Sequence, residues 1–507
     1  MLLPSQVHVD GVMGRETAMG SGGMPGWSSR VRGLMRVALV CLSALAFAAG
    51  MLGSARVSAA AIARAASGLL YAQHPCTFVY AAPSTSAAPV TALLGGTDVT
   101  DAGPASTPGW HHVRIWSGLD AYAQDANLAA TPPPSAEEGD CEFPGVPDPQ
   151  DDIQPASRGP WPLNAYATVS QPATLYAGPG ETVLPMGALN PGDGVSIQAW
   201  AADAQGRPWY QVRTDGTVGW LWSGDARLRA PDPATRATAG VPVWQKIAGK
   251  GMWFTNYLSH HSDVNALMRA AKLAGITHVY AEVAISNFGF YAQGALDRLL
   301  PAAHAQGIAV IAWVYPYLHD ISADVRLTQW VANYATPSGL VPDGIATDVE
   351  EADDSASVYT YGQLVRALLG PDELMVAAVY HAFAQTYYPY AAIAASWNVL
   401  APMDYWHSHA NRAYSPRQVT SFVSNSIFTI RAALGALATN ARLPIEELGQ
   451  TYDMFTDDGV NGGNSPTGAE ITADMLAARD AGCIGVSWFE WQTASQAEWS
   501  AIAAFAW

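Results

Sequence analysis

Residues 343–350, with the sequence DGIATDVE, decide the fold and the chemistry expected of this chain. Side chains alternate along a strand, so Ala346, Asp348 and Glu350 share one face of a short apolar strand. Two carboxyl groups at the exit of such a strand are costly unless they are used or paired, and crowding is expected to raise the pKa of one. A carboxyl group that stays protonated near neutral pH suits a general acid. The alternative is an acidic loop, residues 350–354, that caps the next helix.

Apolar runs of strand length recur along the C-terminal half of the chain, at residues 251–257, 278–284, 309–315, 344–349, 374–381, 399–406, 448–453 and 483–491. Helix-like segments separate them, for example at residues 262–274, 296–306, 418–437 and 469–481. Eight such units over roughly 250 residues predict an α/β TIM (β/α)8 barrel at the C-terminus. An open doubly wound sheet is the alternative, but the sequence lacks the Gly-rich phosphate turn expected after an early strand.

The predicted strands end in aromatic and acidic residues. In a barrel of this kind the active site is built from the carboxyl ends of the strands. A single aromatic residue in a strand is normally part of the core, whereas a cluster of them at several strand ends, interleaved with carboxylates, indicates a pocket for a hydroxyl-rich ligand. The predicted substrate-binding residues are Trp253, Glu282, Trp313, Tyr315, Tyr380, Asp404, Trp406, Trp488, Glu490 and Trp491.

Three of these segments resemble family 18 glycoside hydrolases, the chitinase-like enzymes. Residues 343–350 are similar to that family's fourth-strand pattern Asp-Gly-x-Asp-x-Asp-x-Glu. Met403-Asp404-Tyr405 resembles its sixth-strand Met-x-Tyr, and residues 485–491, GVSWFEW, resemble its eighth strand, which ends in a tryptophan on the pocket floor. The resemblance covers the C-terminal half of the chain and implies a glycosidase acting on a polymer of N-acetylhexosamine, chitin-like or peptidoglycan.

The resemblance also implies roles for individual residues. Glu350 would be the general acid/base that protonates the glycosidic oxygen, and Asp348 would orient the N-acetyl group, whose carbonyl oxygen is the internal nucleophile. Tyr405 would hydrogen-bond the same acetamide, with a core tyrosine as the alternative reading. Trp488 or Trp491 would stack under the sugar. No cofactor is predicted. A metal site formed by three histidines is an alternative that matches no ligand spacing strongly; they are His381, His407 and His409.

The chain departs from the family pattern at two positions. Ala346 replaces the middle Asp of the fourth strand, and Trp406 replaces the Asp that usually follows the sixth-strand Tyr. If the change to Ala346 prevents the substrate's acetamide from acting as the nucleophile, a second carboxylate would serve as nucleophile or base. The candidates are Glu490, Glu282 and Asp453. The Asp-Val-Glu triplet and residues 274–276 are also similar to family 25 lysozymes, which usually carry an Asp on strand one, where this chain has residues 252–254, MWF.

The N-terminal half has a different character. Three arginines between residues 30 and 36 precede an apolar run at 37–53 and small residues at 57–60, the order found in a secretory signal peptide or an N-terminal anchor. We predict this segment at residues 1–59. A disulfide between Cys76 and Cys141 would fit export, and Cys483 is expected to be a buried thiol.

Between the leader and the barrel lies an internal repeat. Residues 77–83, TFVYAAP, match 174–179, TLYAGP, and the pattern Trp-x-x-Val-Arg occurs at 110–114 and 209–213. Short strands separated by turns predict two small all-β domains. The second resembles bacterial SH3 domains, which often hold secreted enzymes on cell-wall glycans or peptides. The predicted boundaries are a degenerate SH3-like domain at 66–130, a linker at 131–163, an SH3-like domain at 164–229, a linker at 230–247 and the barrel at 248–507.

Composition restricts the partners. The chain has a net charge of −18, and its acidic excess grows when residues 1–59 are set aside, so we expect no nucleic-acid binding. The predicted partners are a polysaccharide substrate, a cell-wall glycan or peptide, and a membrane only if the N-terminal segment is retained. The predicted location is secreted or on the outer side of the cell envelope. Three functions compete, namely a secreted glycosidase, a non-catalytic carbohydrate-binding protein on a decayed barrel, and an adhesion or scaffold protein.

The predicted leader leads to one test. N-terminal sequencing of secreted material should give a chain that begins near Ala60. An intact leader on a soluble cytoplasmic protein would contradict the prediction.

Overall fold

The computed structural model describes residues 68–134, 141, 143, 158–214, 217–229, 242–350, 354–385, 387–409, 414–435, 443–452 and 465–507. The predicted leader, Cys41, Glu351, Asp453 and most of the two predicted linkers therefore lie outside the described residues. Residues 67–507 form one compact unit, and all the elements described below belong to it. In the described part of the chain, no helix has the length and apolar character needed to span a membrane.

Two antiparallel sheets precede the barrel. The first β module comprises β1 (Leu69–Ala72), β2 (Thr77–Tyr80), β3 (Pro89–Leu93), β4 (Asp98–Pro104), β5 (Trp110–Ile115), β6 (Leu119–Gln124) and β7 (Leu128–Ala129). The second β module comprises β8 (Trp161–Val169), β9 (Ala173–Tyr176), β10 (Pro185–Leu189), β11 (Gly194–Ala202), β12 (Pro208–Thr214), β13 (Thr217–Trp222) and β14 (Ala226–Leu228).

The two modules share one topology. The strands run β3-β2-β6-β5-β4-β1-β7 in the first sheet and β10-β9-β13-β12-β11-β8-β14 in the second, the same order when each module is counted from its own first strand. This confirms the internal repeat. The predicted disulfide is confirmed as well, with the Cα atoms of Cys76 and Cys141 5.6 Å apart. The SH3-like identity of the modules and the domain boundaries stay predictions.

Eight parallel strands close into a barrel, as the sequence predicts. They are β15 (Gly249–Phe254), β16 (His278–Ile285), β18 (Ala309–Tyr315), β19 (Gly344–Asp348), β20 (Met375–Tyr380), β21 (Val399–Met403), β22 (Glu446–Gln450) and β23 (Gly485–Phe489), with β17 (Gly289–Phe290) paired antiparallel to β16. Pairing of β15 with both β16 and β23 completes the circle. An open doubly wound sheet is thereby excluded.

Helices pack around the barrel. They are α1 (Asn256–His261), α2 (Val264–Ala274), α3 (Gln293–Gln306), α4 (Ile321–Ala332), α5 (Ser355–Leu369), α6 (Tyr390–Ala394), α7 (Pro416–Gly435), α8 (Gly468–Asp480) and α9 (Gln496–Ala504). Alternation along each strand divides the barrel's side chains into two cores. The inner core fills the barrel and includes Trp253, Tyr280, Trp313 and Ala346, whereas the outer core lies between strands and helices.

The first β module is packed against the barrel. Trp116 contacts Trp491 edge to face, with ring centroids 5.6 Å apart. The backbone N–H of Gln496 donates to Asp98 Oδ1 over 3.1 Å at the start of α9. Ser117 Oγ donates to the carbonyl oxygen of Ala270 on α2. Apolar and polar contacts together therefore fix this module to α2 and α9.

The second β module is packed against α4 and, through β8, against α5. The Arg326 guanidinium lies 4.8 Å from the centre of the Trp161 ring. At Gly206, with φ of 78°, an added Cβ would come within 2.6 Å of the Asp320 carboxyl group, so only glycine allows this close approach. The carbonyl oxygen of Gly206 accepts from the backbone N–H of Ser322 over 3.3 Å. This module therefore touches the loop that follows β18 at the carboxyl end of the barrel.

Three acidic side chains are fully buried behind β21 and β22, on the helix side. Asp404, Glu447 and Asp474 each have no exposed surface. Burial raises the pKa of Asp474 to about 7, and Trp488 Nε1 donates to its Oδ2 over 2.9 Å. Burial first, and then the charges of Asp474 and Asp404, raise the pKa of Glu447. We infer that these carboxyl groups are accommodated in their neutral form.

This cluster predicts how stability depends on pH. The folded pKa of Asp474 is about 7 and its ordinary value is 3.8, so the folded state holds the proton more tightly. Its contribution is fully present below about pH 4 and is lost as the pH rises through about 7. Asp474→Asn keeps an oxygen that accepts from Trp488 and does not ionise. Thermal melts at a series of pH values should show the wild type losing stability between about pH 4 and 7 and the variant losing less, a difference on the order of a few kcal/mol in the free energy of unfolding.

Asp480→Asn is the matched control, because Asp480 lies on the same helix with 76% of its side chain exposed. It should follow the wild-type pH dependence. Parallel melting curves for the wild type and Asp474→Asn would contradict the prediction.

Candidate active site

The strand β19 carries the two predicted carboxylates to the carboxyl end of the barrel. Asp343 fixes the start of this strand, since its Oδ2 accepts from the backbone N–H of Val310 and pairs with His304 Nε2, both over 2.9 Å. Asp348 is the last residue of the strand and has 7% of its surface exposed. Glu350 follows in the turn and is more exposed. The structure therefore presents both carboxyl groups at the barrel mouth.

Glu350 is surrounded by phenol groups. Tyr315 Oη, at the end of β18, donates to Glu350 Oε2 over 3.4 Å. Burial raises the pKa of Tyr405, with further contributions from Tyr452 and from the charges of Glu350 and Asp348. Burial and the charges of Glu350 and Glu490 raise the pKa of Tyr452. These shared effects place Asp348, Glu350 and Tyr405 near one another at the barrel mouth.

Tyr388 is a further member of this group that the sequence analysis missed. Its hydroxyl donates to the carbonyl oxygen of Val349 over 2.7 Å and so holds the turn between the two carboxylates. Burial and then the charge of Asp348 raise its pKa, and Glu350 adds a smaller effect. Its ring packs against that of Tyr380, with centroids 5.5 Å apart. Tyr388 lies in a loop and not at a strand end. The sequence analysis selected residues at the ends of predicted strands, so it did not select Tyr388.

Aromatic rings line the interior below the carboxylates. Trp313 contacts Trp253 and Phe489 edge to face, with centroid distances of 5.3 and 5.9 Å. Trp253 is 1% exposed, stacks on Tyr280 at 3.9 Å and donates from Nε1 to Ser487 Oγ over 3.0 Å. Trp253 therefore packs beneath Trp313. Phe489, which was not among the predicted substrate-binding residues, faces the barrel interior from β23.

Glu282 lies beside Trp313 on the neighbouring strand β16. Burial raises the pKa of its carboxyl group to about 7, and the hydrogen bond from Tyr291 Oη, 2.5 Å from Oε1, lowers it. A carboxyl group with this pKa changes its charge near neutral pH and can give or take a proton there.

Glu490 follows β23 after a cis Phe489–Glu490 peptide bond. Its carboxylate accepts a hydrogen bond from Gln492 Nε2, which also donates to Thr255 Oγ1 over 2.9 Å. Since the charges of Glu350 and Glu490 both raise the pKa of Tyr452, this phenol lies near both carboxylates. Glu490 is thus brought to the same end of the barrel as Glu350.

Four predicted substrate-binding residues lie away from the barrel mouth. Asp404 and Trp406 flank the inward-facing Tyr405, so alternation turns both toward the helices, where neither has exposed surface. Trp488 is directed outward for the same reason and bonds Asp474. Trp491 is buried against Trp116 and Trp499 instead of lining a pocket floor. Their predicted roles are corrected accordingly.

Two histidines of the metal alternative contact other side chains. His407 Nε2 pairs with Glu470 Oε1 over 2.9 Å on the helix side, and His381 packs against Phe422 at 5.2 Å. The side chain of His409 lies outside the described residues. In the part of the chain that the structure describes, no group of three or more His, Cys, Asp or Glu side chains has the arrangement of a metal site.

Comparisons with known proteins were made for both sequence and structure. No protein-family model matches the chain, and no curated protein matches it. Among solved structures it is similar to a family 18 chitinase mutant from Cycas revoluta in complex with (GlcNAc)4, at 15% identity over 50% of this chain and 98% of that one, with a TM-score of 0.40. A chitinase catalytic domain from Pyrococcus furiosus (10% identity, 51% and 97%, TM-score 0.37) and a class V chitinase from Nicotiana tobaccum (12%, 50% and 97%, 0.36) are similar too. At these values, function has to be argued from the chain's own site.

Glu282 provides a test of the site that needs no substrate. In a chain labelled with ¹³C at the Glu carboxyl carbons, one resonance should titrate near pH 7 and vanish in Glu282→Gln. Tyr291→Phe removes the hydrogen bond to the ionised form, so the same resonance should titrate at higher pH. Titration of the Glu282 resonance near its ordinary pKa of 4.5 would contradict the placement.

Proposed function

We propose that the chain is a glycoside hydrolase that cleaves a polysaccharide containing N-acetylhexosamine, chitin-like or peptidoglycan. The observation that carries the proposal is the position of Glu350 at the barrel mouth, hydrogen-bonded by Tyr315 and next to the buried Asp348. Trp313 and Phe489 supply apolar ring faces for a sugar below it. Carboxyl groups beside aromatic faces suit a ligand with many hydroxyl groups and an acid-labile bond.

In this proposal Glu350 is the general acid. It gives its proton to the glycosidic oxygen as the bond from that oxygen to the anomeric carbon breaks. The carbonyl oxygen of the substrate's own N-acetyl group bonds to the anomeric carbon, and a water molecule later displaces it while Glu350 takes a proton back. Asp348 orients the acetamide and Tyr405 donates a hydrogen bond to it. Glu490 and Glu282 are the alternative second carboxylates.

One observation favours the second candidate function, a carbohydrate-binding protein without catalysis. Ala346 stands on the strand two residues before Asp348, fully buried among Trp313 and the other inner-core side chains. It offers no acidic group at the position where the family pattern has an Asp. The mouth would still bind a glycan in that case, because the aromatic side chains and Glu350 are retained.

We further propose that the chain acts outside the cytoplasm and that the two β modules hold it on cell-wall glycan or peptide. The Cys76–Cys141 disulfide supports this location, because such bonds persist in oxidising compartments. The net charge of −18 supports a partner other than nucleic acid.

Glu350→Gln is the decisive variant. It keeps the shape of the side chain and removes the proton donor, so turnover on chitin oligomers or peptidoglycan should fall by about 10²–10⁴-fold while binding persists. Asp348→Asn should lower turnover as well and shift the pH profile, because neighbouring carboxyl groups titrate as a unit. Glu350→Ala should recover part of its activity on a substrate whose leaving group needs little protonation.

Glu373→Gln is the control, since Glu373 lies just before β20 at the opposite end of the barrel. Unchanged turnover in Glu350→Gln would place the acid elsewhere, with Glu490 the next candidate. A wild type that binds glycans and cleaves none of them would establish the non-catalytic function.

A further inference from the structure

A groove of about 350 Å³ lies beside the barrel mouth. Its lining combines aromatic and polar side chains, namely Phe383, Tyr414, Arg417, Gln418, Ser421, Phe422 and Asn425. The α7 members recur at the spacing of one helix face. Phe383, from the loop after β20, contacts Phe422 with ring centroids 5.7 Å apart and is 46% exposed. The groove thus has an exposed ring face with amide, hydroxyl and guanidinium groups around it.

One short loop joins the groove to the strand beside the carboxylates. The strand β20 pairs directly with β19, where Ala378 is opposite Asp348. Three residues farther along, His381 packs against both Phe383 and Phe422, at 6.1 and 5.2 Å. The chain therefore passes from the strand beside the carboxylates to the wall of the groove within one short loop.

The size and chemistry of the groove favour one sugar unit. Its volume is at the lower end of the roughly 300–1,000 Å³ typical of small-molecule sites. An aromatic face accepts the apolar face of a pyranose ring, and Arg417, Gln418 and Asn425 can hydrogen-bond hydroxyl and acetamide groups around its edge. A wholly apolar partner would leave these polar groups unpaired.

We propose that this groove is a distal subsite that binds an N-acetylhexosamine unit of the polymer held at the mouth. The proposal rests on the proposed function, because the occupant belongs to the same chain of sugars. Phe383 stacks on the sugar and Arg417 donates to it. Binding energy from a remote unit of this kind can also assist the chemical step on long substrates.

The experiment compares ligand lengths. Calorimetric affinities for chitobiose and chitohexaose are measured with Glu350→Gln alone and combined with Phe383→Ala. The second substitution should weaken chitohexaose binding by about tenfold and leave chitobiose binding unchanged. Arg417→Gln should give the same length-dependent loss and keeps the proposal testable if Phe383→Ala fails to fold. In the otherwise native chain, Phe383→Ala should leave cleavage of a short aryl glycoside unchanged.

Phe428→Ala is the matched control, because Phe428 lies on the same helix, is 72% exposed and is not part of the groove. Equal affinity changes for both ligands, or none for chitohexaose, would overturn the subsite even if Glu350→Gln abolished turnover. A change in sedimentation with no length effect would identify the groove as a contact between copies of the chain and would also overturn it. A wild type without turnover but with the length effect would refute only the hydrolase.

Discussion

The structure depends on the two-residue alternation of side chains in a closed parallel barrel. Each strand has to give one set of side chains to the narrow interior and the other to the helices, and closure leaves no strand an alternative. This constraint puts Tyr405 inside and turns Asp404 and Trp406 outward. It also selects Phe489 over Trp488 for the interior of the eighth strand. Which side chains form the site therefore depends more on their position in the alternation along each strand than on their residue type.

The barrel could be predicted from the sequence because its strands are short apolar runs that recur at regular spacing, and each of the eight predicted runs overlaps an observed strand. The position of Asp348 at the end of its strand could be predicted for the same reason, whereas Glu350 lies in the turn that follows and its side-chain direction is set by that turn. Trp406 and Trp488 were wrongly predicted to bind substrate because their residue type was given more weight than the alternation of side chains along the strand. Trp491 could not be assigned at all from the sequence, because its neighbour Trp116 comes from the first β module.

Desolvation acts on carboxyl groups at two places in the barrel with different results. Glu282 is half-buried beside the mouth with one phenol partner, and its pKa of about 7 lets its charge change near neutral pH. Asp404, Glu447 and Asp474 are buried behind the strands, where the charge of Asp474 adds to burial in raising the pKa values of Asp404 and Glu447. The first arrangement suits proton transfer with a ligand. The second has no access to a ligand and affects only the stability of the folded state.

The fixed packing of the second β module on α4 and α5 has a geometric consequence. A binding module on a flexible linker raises the effective concentration of its ligand over the whole volume that the linker can sweep. Here Gly206 lies against Asp320, and Arg326 covers the ring of Trp161, so the module cannot sweep such a volume. A polymer held by this module would approach the mouth along one direction. The module would then orient the polymer at the mouth. It would add little of the avidity that a module on a flexible linker provides.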